Sequence, residues 1–291
     1  MMTEPVQVDK ISGQTTTGHE WDGIRELNTP LPRWWLWLFY LTIAFSVVYW
    51  IVYPAWPLAT SYTAGLFGYT NRARVAEDVA AGQAARAQMA AGLETATLAQ
   101  IAADPKLTEI ALAEGKAAFG DNCAPCHGSG GQGQKGYPNL TAGRWLWGGT
   151  LDAIDTTITH GIRSDDPDAR TSAMPAFGRD GILKADQIRQ VANYVRTLDG
   201  LEPEQGVDVA AGKKIFADNC VVCHGEDGKG KLELGSANLT TKVWQYGNDI
   251  NDLIYTISNA RNSVMPAWGK RLDPVTIKSL VVYVHSLGGG T

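Results

Sequence analysis

The residues best suited to chemistry are the four cysteines, which come as two pairs, Cys123/Cys126 and Cys220/Cys223. Two residues separate the members of each pair, and a histidine, His127 or His224, follows at once. Thiols three positions apart at a helix start reach one side of a flat macrocycle, where each forms a thioether to a haem vinyl group. The adjacent imidazole then faces the iron. This is the c-type haem attachment pattern, and its occurrence twice predicts two covalently bound haem c groups. A thioredoxin-like dithiol does not require the histidine and sits in a βαβ pattern. A zinc site needs four ligands per metal, which the two pairs together supply, but zinc leaves the next motif unexplained. A disulfide framework usually spreads its cysteines along a short secreted chain, unlike this arrangement.

Each cysteine pair is followed downstream by a Met-Pro-Ala-aromatic-Gly string, beginning at Met174 and at Met265. A thioether trans to histidine raises the reduction potential and saturates the iron, as in electron-transfer cytochromes c. The expected metal ligands are therefore His127, Met174, His224 and Met265. Within-repeat pairing (His127 with Met174, His224 with Met265) is the simplest arrangement, and a crossed pairing stays open. No catalytic residue is expected. Peroxidase chemistry would need an open iron with an acid–base side chain above it, and no extra histidine or glutamate is placed for that. His160 and His285 align with Asn259 and Arg196 in the other repeat, which suits surface or propionate-side roles. Arg144, Trp145, Trp147 and Trp244 are candidate propionate donors, and the tryptophans equally suit core filling. Residues 163–170, RSDDPDAR, read as a solvated loop. Met89 is expected to pack within an Ala-rich helix.

The elements that must position these residues are legible as a repeat. Phe119 matches Phe216, Asn139-Leu140-Thr141 matches Asn238-Leu239-Thr240, Trp145 matches Trp244, and Tyr194-Val195 matches Tyr283-Val284. Each unit reads as a helix into the cysteine pair (108–122; 207–219), a Gly-rich loop, a middle helix (150–160; 249–259), the Met-Pro loop, and an amphipathic last helix (184–198; 274–287). No alternating strand pattern is evident. Ahead of the repeats, residues 34–53 are twenty in number and carry no charge, the length that crosses a bilayer as a helix. Aromatics lie at both ends, and Pro54 and Pro57 end the helix. A 33-residue polar leader precedes the span, too long for a cleaved signal peptide. The predicted class is mainly α, one N-terminal transmembrane helix followed by two tandem cytochrome c domains. Its segments are a leader at 1–33, the span at 34–53, a linker at 54–104 with Ala-rich helices over 73–103, and haem domains at 105–200 and 201–291. His19, in the leader, lies away from the haem compartment.

The chain has 291 residues and a net charge of −5, with no Lys/Arg-rich block. Nucleic acid is not an expected partner. Units of about 90 residues have modest cores, so a covalently held apolar macrocycle supplies much of each interior.

With these motifs located, the chain resembles the dihaem c-type subunit, CcoP or FixP, of cbb3-type cytochrome c oxidases. The two haem motifs alone indicate only a dihaem cytochrome c. The leader GHEWDGIRELNTPLPRWW (18–35), one span, and YPAWP (53–57) resemble that family's N-terminal signature. The resemblance implies an electron relay without bond chemistry of its own. It would accept electrons from a donor cytochrome and serve a monohaem c subunit and a haem–copper catalytic subunit. It further implies a bacterial inner membrane location, N-terminus cytoplasmic and haem domains periplasmic. A relay for another dehydrogenase or reductase carries the same haem motifs.

Overall fold

The computed structural model describes residues 6–143 and 145–288. Arg144 therefore lies outside the described residues. The chain divides into a unit up to Ala84 and a unit from Ala85 onward.

In the first unit the leader is not merely extended. Strands β1 (Thr16–Trp21) and β2 (Ile24–Leu27) form an antiparallel hairpin. Its turn is Asp22-Gly23, with φ of 52° and 81°, as a two-residue type I′ connection requires. The Asp-Gly pair was the available signal, and a register shift between Thr16 and Glu20 obscured the alternation. Helix α1 (Arg33–Val52) has a mean hydropathy of 1.9 and no buried residue, so it is long and apolar enough to cross a membrane. Its last carbonyls are not orphaned: the Leu66 and Phe67 amides donate to those of Ile51 and Val52.

Helix α2 (Asn71–Thr95) runs through both Gly82 and Gly92, and α3 (Leu98–Ala103) follows behind a Thr97/Gln100 capping box. Met89 is 68% exposed, so it is not packed as expected. Leu93 and Ile101 are buried against Ala111 and Val282. Lys278 Nζ donates to the Leu93, Glu94 and Ala96 carbonyls at 3.1, 3.0 and 2.8 Å. The end of the linker is thus part of the second unit's packing.

The repeats follow as read. Helix α4 (Pro105–Asn122) enters a single turn, α5 (Ala124–His127); α6 (Leu151–His160) and α7 (Ala185–Leu198) complete the first repeat. Their counterparts are α8 (Val209–Asn219), α9 (Val221–His224), α10 (Ile250–Asn259) and α11 (Pro274–Ser286). The cores, however, do not follow the repeats. One core joins Phe119 of α4 and Ile154 and Ile158 of α6 to Ile277, Leu280, Val281 and Val284 of α11. The other joins Phe216 of α8 and Leu253 and Ile257 of α10 to Ile188, Val191 and Val195 of α7. Each repeat lends its last helix to the other. The boundary expected at residue 200 separates sequence repeats but not packed cores.

Two close helix crossings fix this exchange. A methyl group on Gly115 would collide with the Ser279 carbonyl of α11, and one on Gly212 with the Gln190 carbonyl of α7. Beside them Phe119 meets Tyr283 at a tilt, and Phe216 meets Tyr194 edge to face, both at 5.3 Å between ring centroids. Glycine at the crossing lets the helices approach closely, and the aromatic pair fills the flank.

Candidate haem sites

Each Cys-x-x-Cys-His stretch is built by one helical turn. In α5 the Cys126 and His127 amides donate to the Cys123 carbonyl at 3.1 and 2.9 Å; in α9 the Cys223 and His224 amides donate to Cys220 at 3.2 and 2.9 Å. The turn sets the two thiols one helical step apart with the imidazole next to them. No disulfide joins the four cysteines. Burial, reinforced by the neighbouring thiol, pushes Cys123 and Cys220 up to about 11. A redox-active dithiol needs the opposite shift, which argues against disulfide exchange at these pairs.

Among the described residues, each histidine is held at its Nδ1. His127 Nδ1 donates to the Pro138 carbonyl at 3.1 Å, and His224 Nδ1 to the Ala237 carbonyl at 2.9 Å. A proton fixed on Nδ1 leaves the Nε2 lone pair for a metal. Burial lowers both imidazole pKa values, with the carbonyl partner partly offsetting it. The rings are therefore neutral near pH 7, the state that ligates iron.

The methionines are exchanged along with the last helices. Met265 packs into the core that holds Cys123, Leu140 and Trp145, and Met174 into the core that holds Cys220, Leu239 and Trp244. The simplest expectation paired Met174 with His127; the packing instead brings Met265 to that half. Backbone bonds secure each arrival. The Phe177 and Gly178 amides donate to Ile257 and Ser258 of α10 at 3.0 and 3.1 Å, and the Trp268 and Gly269 amides to Ile158 and Thr159 of α6, both at 3.0 Å. Within-repeat pairing was favoured because sequence proximity was the only guide. The segments between Arg170 and Met174, and between Arg261 and Met265, carry the chain across.

The remaining candidates separate clearly. Trp244 Nε1 donates to Asp199 Oδ2 at 2.8 Å. Trp145 Nε1 is buried and meets no acceptor among the described residues. An unanswered donor in the core that also holds Cys123 and Met265 fits a group that brings its own acceptor, as a haem propionate does. Trp147 lies under the Arg170 guanidinium at 4.8 Å, and Tyr246 under Arg261 at 4.8 Å. His160 Nδ1 pairs with Asp166 Oδ1 at 3.0 Å, and His285 is exposed. Residues 163–170 are more than a solvated loop. Ala169 is buried, Arg170 Nε donates to Thr157 Oγ1 at 3.0 Å, and Arg163 bonds two distant carbonyls. The unequal repeat offsets across this stretch were the sequence signal for an insertion, and the arginines at its ends were the sign that it is anchored.

Comparison with known proteins finds matches along the chain. The N-terminal domain of cytochrome oxidase-cbb3, FixP, matches residues 13–60; cytochrome c matches residues 112–199; and cytochrome C oxidase, cbb3-type, subunit III matches residues 207–284. The cbb3-type cytochrome c oxidase subunit FixP of Bradyrhizobium diazoefficiens is 59% identical, covering 99% of this chain and 100% of the relative. The FixP subunit of Azorhizobium caulinodans is 55% identical, covering 97% and 96%, and the CcoP subunit of Azospirillum brasilense 51% identical, covering 97% and 98%. Two cytochrome c segments behind a FixP-type N-terminal domain, matched over nearly the whole length, place this chain in the FixP/CcoP family, the electron-transfer subunit of cbb3-type cytochrome c oxidase.

Proposed function

We propose that this chain is a dihaem relay that takes electrons from a donor cytochrome c and passes them to the oxidase's monohaem c subunit, and so to the oxygen-reducing haem–copper centre of the catalytic subunit. Cys123 and Cys126 hold one haem c by thioethers, and Cys220 and Cys223 the other. His127 and Met265 would hold the first iron, and His224 and Met174 the second. Helix α1 anchors the chain in the bacterial inner membrane. The leader lies on the cytoplasmic side and everything after residue 58 in the periplasm, where c-type haem is attached. When bound, the haems supply the one-electron couple.

The observation that carries this reading is the crossed closure of the two cysteine-bearing cores by Met174 and Met265. The protein's own residues keep the sites for electron transfer. The Pro138 and Ala237 carbonyls orient the imidazoles. Phe119 and Phe216, 1% and 2% exposed, exclude water beside the cysteine turns, which keeps the local dielectric low and reorganisation small. The Met174 and Met265 thioethers would saturate the irons and so would exclude oxygen binding.

The test removes one haem at a time. In a Cys220→Ala/Cys223→Ala background, Met265→Ala should open the remaining reduced haem to carbon monoxide while Met174→Ala leaves it closed. The Cys123→Ala/Cys126→Ala background should give the reverse. If Met174→Ala opens the haem on Cys123, the axial pairs are not crossed. If the wild-type chain does not copurify with a haem–copper subunit at two haems c per chain, the relay assignment fails.

A further inference from the structure

The two repeats are close to symmetric except at one place. Gly161 aligns with Ala260, and Arg170 with Arg261, so residues 162–169 have no counterpart. That insertion lies where the chain crosses between the halves. Its first two residues touch the strands that deliver the methionines. Ile162 exchanges both backbone bonds with Met265, its amide to the Met265 carbonyl at 3.0 Å and the Met265 amide back at 2.9 Å. Arg163 Nε donates to the Ser263 carbonyl at 2.8 Å, and its Nη1 to the Ser172 carbonyl at 2.7 Å. Ser172 and Ser263 each stand two residues before a methionine, Met174 and Met265.

We propose that Arg163 is a shared positioning residue for both methionines: one guanidinium, bonded to both crossing strands, sets the approach of each thioether and couples the two sites. This rests on the reading that Met174 and Met265 are the axial ligands. A planar fork with donors in fixed directions suits the task, and a lysine, a single point donor, cannot span both carbonyls in the same way. The backbone agrees. Arg163 sits at φ 51°, a left-handed conformation that a non-glycine residue holds only where its surroundings determine it. Asn262 contrasts with it. Its side chain accepts from the Met174 amide and donates to the Met174 carbonyl, both at 3.1 Å, so it holds the backbone of one methionine alone.

The readout is carbon monoxide uptake by the reduced, intact complex, whose rate follows the population of iron with its methionine released. Arg163→Ala should accelerate uptake at both haems about tenfold, the change expected from losing a charge-assisted hydrogen bond to each strand. Both midpoint potentials should move together. Asn262→Ala should accelerate one haem only. Arg163→Lys, which keeps the charge and the folded surface, should accelerate at least one. Uptake at only one haem after Arg163→Ala, or unchanged uptake at both haems in Arg163→Lys, overturns the shared role. Met174→Ala and Met265→Ala separate the two readings. If each opens one iron, ligation stands and only the coupling is on trial; if neither does, both fall.

Discussion

At the scale of the residue, the sites combine strict local chemistry with contacts from far along the chain. The cysteine turns, the histidines and the Met-Pro strings are short motifs whose chemistry is set by neighbours, so they were legible without a fold. Their partners were not. Pro138 and Ala237 offer only a backbone carbonyl to the histidines, and side-chain type says nothing about that. Lys135 shows the same principle in a bond between repeats: its Nζ donates to Asp252 at 2.9 and 2.8 Å, tying the loop after the first cysteine turn to α10. That bond, with Arg261 adding to it, holds the Asp252 carboxyl below the usual carboxylate range. A carboxylate depressed in the folded state stabilises it fully above its unfolded pKa, near 4, and loses that contribution as pH falls through the folded value. Asp252→Asn should therefore be less stable than wild type at neutral pH, and the gap should close in acid. Chemical denaturation of the haem-loaded protein at pH 7 and at pH 3 measures it; an equal gap at both would show that the carboxylate's charge is not what stabilises.

At the scale of the element, helix identity was readable and helix partnership was not. The boundaries of α4, α6, α7, α8, α10 and α11 fall within a few residues of those expected from apolar spacing, and acids or threonines at Asp104, Thr150, Asp208, Asp249 and Asp273 cap most of their starts. Partnership was hidden because the repeats present the same surface. Phe119 and Phe216 are both phenylalanine, and Tyr283 and Tyr194 are both tyrosine, so either pairing of first and last helices satisfies the same contacts. The discriminating features are unique to one repeat, above all the insertion that carries Arg163. The close crossings themselves can be tested. Gly115→Ala or Gly212→Ala puts a methyl group into a backbone carbonyl of the crossing helix. Relief requires the helices to part, and overpacking of this kind costs about 1–3 kcal/mol. Each substitution should lower the denaturant midpoint by a matching amount, whereas Gly120→Ala, where a methyl group meets nothing within 4 Å, should not. A tolerated Gly115→Ala would mean that α4 and α11 do not cross as closely as described.

At the scale of the whole molecule, the exchange of last helices joins what the sequence divides. Cytochrome c and the cbb3-type subunit III description match residues 112–199 and 207–284 as separate segments, yet neither segment contains a complete core. The first keeps α4 and α6 but packs them on α11; the second keeps α8 and α10 but packs them on α7. The connection between the repeats is itself pinned. Glu204 bonds the Arg189 guanidinium at 2.7 and 2.8 Å, and its amide donates to the buried Asn193 side chain at 2.7 Å. Two independent domains would unfold independently, but each core here takes its last helix from the other repeat, so neither repeat can unfold as a unit without opening both cores. The region from residue 85 onward should therefore unfold in one transition, with absorbance of the two haems and helical circular dichroism changing together. Chain cleavage separates the alternatives more sharply. A protein ending at residue 200 keeps α4, α6 and Met174 but lacks α11 and Met265, so its haem on Cys123 should bind carbon monoxide readily. Supplying residues 201–291 as a second chain in the same periplasm should restore the closed, six-coordinate spectrum at both haems, because the exchanged interfaces need no covalent link. A haem on Cys123 that stays closed in the shortened protein would mean that the first repeat completes its own core, and the exchanged architecture would be wrong.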